Sequence, residues 1–318
     1  MKQTLSILMM ALAVTSQAFG QTNSSALSAK SLAERLGYPR DAKLLIVNTD
    51  DLGMAHSVDA AAIKGLSTGL VTSGSIMVPC PWFPEIADYA RQHPDADLGL
   101  HLTLTSEWVH YRWGPVLSRD KVPSLLDPTG YLYLTEDVAA AHIDAREAEA
   151  EIRAQIERAR SFGIQPTHLD AHMGTLYQSK ALFEALLRVS RENRLPIRVS
   201  KDWTSRIPFL QSILKPDDVL LDGFITIDSD VPPEKWVNFY TEALKKLQPG
   251  VTELGIHLAY DDEEMRNVSF NHPNWGAGWR QRDFDFFTSD TFRRLLQENN
   301  IKLITWRELA KLMAKPAN

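Results

Sequence analysis

The chain has 318 residues, 44% hydrophobic and 23% charged, a balance that excludes intrinsic disorder and is ample for a large core. A formal net charge of −6 and a pI near 5.9 give no electrostatic footprint for nucleic acid or an anionic membrane surface. The single cysteine, Cys80, excludes an internal disulfide; flanked by Pro79 and Pro81, it has no neighbour that would activate a thiol and reads as structural.

Met1-Lys2, the apolar run Leu5 to Val14 and the small-residue exit Ser16 to Gln21 have the layout of a secretory signal. The run is too short to span a bilayer, so cleavage near Gly20 is expected and no stable membrane span should remain after processing. Residues 1–20 therefore read as a signal peptide, 21–40 as a leader with a Ser-rich start, and 41–314 as the folded domain. The expected location is periplasmic or extracellular.

From Lys43 onward short apolar runs alternate with amphipathic stretches, with no internal repeat, which predicts βα units around a parallel sheet. The first strand, Leu44–Asn48, runs into Thr49-Asp50-Asp51-Leu52-Gly53. A helix over His56–Gly69, a strand over Val71–Pro79 and a helix over Pro84–Gln92 follow. The third strand, Leu98–Thr105, alternates strictly: four leucines take one face, and Gly99, His101, Thr103 and Thr105 take the other. The stretch from Ser106 to about Asp137, carrying Trp108, Tyr111 and Trp113, reads as a long insertion, and connections of that length are usually functional.

Asp144–Phe162 is predicted helical, with Ala148, Ile152, Ile156 and Ala159 as its stripe and Gly163 as its stop. Pro166–Gly174 is the fourth strand, where alternation puts His168, Asp170 and His172 on one face. A helix over Lys180–Glu192 comes next, then strands over Pro196–Ser200, Val219–Ile227 and Glu253–Ala259. The last of these repeats the device of the third, with His257 opposite Leu254, Ile256 and Leu258. A final strand, Lys302–Thr305, lies between helices Asp290–Gln297 and Arg307–Met313. About eight strands in this order predict an α/β fold with a single (β/α) barrel, TIM-like or distorted.

In such a barrel Asp50, Asp51, His101, the 168–172 group and His257 share the mouth at the strand ends. Asp51, His101 and His172 can supply one carboxylate and two imidazoles, a set suited to zinc or another first-row divalent metal with a position left open. Of two adjacent acids, one can ligate while its neighbour takes a proton. A helix cap at Asp50-Asp51 would explain one of them and leave the other without a role.

Five stretches carry a resemblance: Val47-Asn48-Thr49-Asp50-Asp51-Leu52-Gly53, Gly69-Leu70-Val71-Thr72-Ser73, Leu98 through Thr105, Val122-Pro123-Ser124-Leu125-Leu126-Asp127, and Pro166 through His172. In this order the chain resembles the YdjC/ChbG-like carbohydrate deacetylases from Leu44 to Arg307. The resemblance implies a (β/α) barrel and metal-dependent hydrolysis of an N-acetyl group from an amino sugar, with an N-acetylated saccharide as substrate. It further implies a divalent ion, Zn2+ or Mg2+, on Asp51, His101 and His172, with Asp50 as general base and His257 as the acid for the departing amine. His168 and Asp170 then support the site or face substrate. Two departures stand out: Met173-Gly174-Thr175 replaces further histidines, and Leu258 replaces a proline after His257.

Trp275 and Trp279, with Trp108 and Trp113, are candidates to stack on sugar rings, or else to anchor loops on the barrel rim. Two other functions share the same residues: an amidase acting on a non-sugar amide, and a glycan-binding protein without catalysis. The oligomeric state is not legible in the sequence.

Overall fold

The computed structural model describes residues 30–313, and the expected signal peptide and the first part of the leader lie outside them. β1 (Lys43–Leu52) is the strand on which the sheet is built. Leu44, Leu45, Ile46 and Val47 are all fully buried, the continuous apolar run required of a parallel strand covered on both faces. β2 (Ser73–Ile76), β3 (Leu98–Leu102) and β4 (Leu169–Ala171) extend the sheet to one side, and β6 (Gly250–Ile256) then β5 (Gly223–Ile225) to the other. β7 (Ile301–Leu303) pairs with Lys43–Leu45, while β2 takes up β1 from Asn48 onward. Every one of these pairings is parallel.

The described residues form seven strands, not eight. The expected strand Pro196–Ser200 contributes two single bridges, Leu169 with Ile197 and Ser200 with Leu221. Pro196 has no N–H for a ladder, so pairing rests on bonds such as Arg198 N to Leu169 O, 3.0 Å, and Leu221 N to Val199 O, 2.9 Å. That segment lies between β4 and β5, which makes the curled parallel sheet compatible with a distorted (β/α) barrel.

The helices follow their apolar stripes. Ala145–Ser161 begins where the Asp144 side chain accepts from Arg146 N, and it buries Ala148, Ile152, Ile156 and Ala159 as expected. It also buries Glu151 and Gln155, which the stripe does not explain. Gln155 exchanges bonds with the Thr103 backbone at 3.1 and 2.9 Å, and Glu151 accepts from Val116 N and Leu117 N at 2.8 and 3.0 Å. This helix thus ties down the connection between Leu102 and the helix Glu136–His142, whose Trp108, Trp113, Val122, Leu125 and Leu132 are buried in the core.

The leader expected over 21–40 is folded in its second half. Ser31 and Glu34 form a capping box on the short helix Leu32–Arg35. Leu32 and Ala33 pack with Leu44, Ile46, Val251, Trp306 and Leu309 at the N-terminal ends of the strands. This apolar pair closes the floor of the fold. Among the described residues no helix is long and apolar enough to cross a membrane.

Candidate metal centre

In a regular strand Asp50 and Asp51 would point to opposite faces. The β1–β2 register is irregular between Thr49 and Leu52, and Asp51 takes a left-handed backbone with φ 70°. A non-glycine residue pays of order 1 kcal/mol for that conformation, Asp less than most. The bulge turns both carboxylates to the inside. Gly53 follows at φ 87°, turning the chain toward the helix His56–Ser67.

Asp51 Oδ1 is buried without a hydrogen-bond partner. It lies 3.4 Å from His101 Nε2 and 3.4 Å from His172 Nδ1. Donor atoms around a tetrahedral ion with bonds of about 2.1 Å stand about 3.4 Å apart, so an orphaned carboxylate oxygen between two imidazole nitrogens fits such a cation. Asp50, His101 and Asp170 form an overlapping cluster. His101 Nδ1 bonds Asp170 Oδ1 at 2.6 Å, which leaves Nε2 for the centre. His172 Nε2 bonds Glu107 Oε2 at 2.9 Å.

Two arginines that sequence reasoning did not pick hold the paired acids. Arg198 clamps Asp50 with Nη1 to Oδ2 at 2.8 Å and Nη2 to Oδ1 at 2.7 Å, and reaches Asp170 Oδ2 at 2.7 Å and Glu253 Oε1 at 2.8 Å. Arg280 Nη2 sits 2.7 Å from Asp51 Oδ2. Burial alone would push the Asp50 carboxyl up; Arg198 and then His101 outweigh it and hold the group far below the usual carboxylate range. Burial likewise opposes ionisation of Asp51, and Arg280 and the two histidines overcome it. Burial raises Glu253 to about 7 despite its guanidinium contact. Against burial, the charges of Glu107 and Asp51 lift His172 to about 9.

His257 reaches the same place from the end of β6. Its Nε2 lies 4.0 Å from Asp50 Oδ2, and its backbone N–H donates to Asp283 Oδ2 at 3.1 Å. Asp283 also accepts from Trp236 Nε1 and Tyr240 Oη, both at 2.9 Å, which fixes the helix Ala277–Phe287 that carries Arg280. Burial drives the imidazole down to about 4, so His257 is neutral at pH 7.

The fourth-strand group is brought together more loosely than alternation predicted. β4 stops at Ala171, and His172 begins a 3-10 turn in which Met173 and Gly174 are left-handed, with φ 51° and 69°. Asp170 supports His101. His168 is fully buried below Asp170, stacked on Trp306 with ring centroids 4.8 Å apart. A Cβ at Gly99 would lie 2.3 Å from that ring, which accounts for a glycine in the third strand.

The centre opens into a cleft of about 550 Å³, a volume suited to a small organic ligand. Its walls include Leu134, Met173, Trp203, Phe224, His272 and Trp275. Trp275, 38% exposed, offers a ring to the cleft. Trp279 does not: it is buried between His257 and Trp236, at 5.1 and 5.6 Å. Trp113 is buried behind His172, and Trp108 is buried beside His272. Of the four tryptophans, Trp275 and the more deeply buried Trp108 line the cleft, while Trp113 and Trp279 are packed behind it.

The model of the YdjC-like protein family matches residues 44–298. A carbohydrate deacetylase of Thermus thermophilus is 32% identical over 293 residues, covering 89% of this chain and 99% of its own. A chitooligosaccharide deacetylase of Yersinia pestis is 27% identical over 278 residues, covering 82% of this chain and 97% of its own. A solved structure from Enterococcus faecalis V583, described as a candidate cellobiose-phosphate cleavage protein, matches with a TM-score of 0.69 and 26% identity over 84% of this chain and 99% of that one. The chain belongs to the YdjC-like family, as its five motifs predicted.

Proposed function

We propose that the protein is a metal-dependent carbohydrate deacetylase that removes an N-acetyl group from an amino sugar of an oligo- or polysaccharide. The observation that carries this reading is the unpartnered Asp51 oxygen between His101 and His172, with Asp50 beside it. Relatives named as carbohydrate and chitooligosaccharide deacetylases, matched over nearly their whole length, support the substrate class. Trp275, open at the rim, supports a sugar over a non-sugar amide. The signal-like segment 1–20 supports export, so the glycan would be met in the periplasm or outside the cell.

Asp51, His101 and His172 would hold the ion, Zn2+ or Mg2+. A divalent cation there supplies polarisation of the acetamide carbonyl and acidification of a water. Arg198 keeps Asp50 ionised, and Asp50 removes the proton as the water adds to the carbonyl carbon. His257 is neutral, so the proton it gives the departing nitrogen is one received during the reaction; Asp50 Oδ2, 4.0 Å from Nε2, is a source for it. The C–N bond breaks, giving acetate and the free amine.

The test is acetate release from N-acetylglucosamine oligomers by metal-loaded protein, beside a panel of simple acetamides. Release from the oligomers alone, lowered about 100-fold or more by Asp50→Asn, is the expected result, the scale of a lost general base. Equal release from simple acetamides would favour an amidase; stoichiometric sugar binding with no release would favour a glycan-binding protein.

A further inference from the structure

The two histidines at the centre approach Asp51 Oδ1 through different nitrogens. His101 uses Nε2 and turns Nδ1 to Asp170, whereas His172 uses Nδ1 and turns Nε2 to Glu107. A His172 ring turned over would place carbons at both contacts, so the pair of contacts fixes its orientation. An imidazole that ligates a cation carries a single proton; with Nε2–H donating to Glu107, Nδ1 is the nitrogen whose lone pair faces Asp51 Oδ1 and would meet the ion.

Asp170 is held by its strand and by Arg198. Glu107 instead comes from the connection after β3, and the backbone just before it is anchored. Ser106 N donates to Tyr133 O at 2.7 Å, Trp113 Nε1 to Thr105 O at 2.8 Å, and Trp113 N to Ser106 Oγ at 3.1 Å. Glu107 is buried to within 9% exposure at the cleft wall. Taking a carboxylate out of water there is costly, and the 2.9 Å contact with His172 Nε2 offsets that cost.

We propose that Glu107 is a positioning residue for cation binding: its carboxylate accepts a hydrogen bond from His172 Nε2–H and thereby presents Nδ1 to the ion. This rests on reading Asp51, His101 and His172 as the cation site. It also gives the Leu102–Glu136 connection a defined role, because that segment then sets how tightly the ion is held as well as shaping the cleft. Removing an imidazole's carboxylate partner of this kind costs about 10–100-fold in metal affinity.

The experiment uses full-length protein stripped of metal and titrated with Co2+ and Zn2+, following heat of binding and the visible Co2+ spectrum. Glu107→Ala should bind each ion about 10–100-fold more weakly, with a changed Co2+ spectrum. Glu107→Gln keeps an acceptor and should recover part of the affinity. His172→Ala is the control. If His172→Ala loses the ion while Glu107→Ala and Glu107→Gln bind like the parent, the Glu107 assignment is wrong and the site stands. If the parent takes up no stoichiometric ion, or His172→Ala does not weaken it, both readings fall. Should Glu107→Ala not fold, Glu107→Gln decides: parent-like affinity and spectrum overturn the proposal, and weaker binding with an altered spectrum supports it.

Discussion

β1 has two ends of opposite character within ten residues, both buried. At its start, Leu44 and Ile46 close an apolar floor with Leu32, Val251, Ile304 and Trp306. At its finish, Asn48, Asp50 and Asp51 are as hidden from solvent, but each depends on a partner: Asn48 Nδ2 donates to Asp50 Oδ1 at 2.8 Å, Asp50 meets Arg198 and Asp51 meets Arg280. The floor is stabilised by area removed from water. The mouth gains little net stability from its charges, because pairing offsets a desolvation cost of similar size. Equal burial therefore means stability at one end and chemistry at the other.

Arg198→Met tests the mouth most severely. Without the guanidinium, Asp50, Asp170 and Glu253 lose their shared counter-charge, and stability should drop by about 3–5 kcal/mol in urea unfolding, with acetate release lost as well. Parent-like stability would show that the carboxylates do not depend on this arginine. Leu44→Ala probes the floor. It should cost about 2–5 kcal/mol through the cavity left behind. Co2+ affinity per folded molecule should stay at the parent value, and a weakened ion would mean the two ends are coupled.

The smallest effect belongs to a charge outside both ends. Asp144, capping the helix Ala145–Ser161, is held down to about 2, chiefly by its bond to the Arg146 side chain and then by the Arg146 backbone N–H. A carboxyl lower in the folded state than its unfolded value near 3.9 stabilises above that value, and the contribution fades as pH falls through about 2. The gap in urea midpoint between the parent and Asp144→Asn should therefore be open at pH 5 and close toward pH 2. A gap that does not change with pH would remove the charge from the cap's role.

Much of this was legible because it depends on local pattern. Strand alternation put His101 and His257 on the inner face, and the apolar run of β1 followed by Asp50-Asp51 marked where floor becomes mouth. The bulge was not legible: nothing in Thr49-Asp50-Asp51-Leu52 announces that Asp51 turns left-handed so that both acids face inward. Arg198, Arg280 and Glu107 were missed because they come from distant segments and their residue types are ordinary on a surface; only their burial distinguishes them. The helix Ala277–Phe287 escaped for a related reason. Its buried side includes Arg280 and Asp283 among Trp279, Phe286 and Phe287, so an apolar stripe does not reveal it. For His168 alternation left both support of the site and contact with substrate open, because it fixes a face and not a depth; the ring lies below Asp170 against Trp306.

On the proposed function, Asp51, His101 and His172 together would hold one divalent ion. Crystals grown with Zn2+, with anomalous data collected on both sides of its absorption edge, test it most directly. A single edge-dependent peak bounded by an Asp51 carboxylate oxygen, His101 Nε2 and His172 Nδ1 is the predicted result. A peak elsewhere, or none in crystals whose protein takes up zinc in solution, would contradict it.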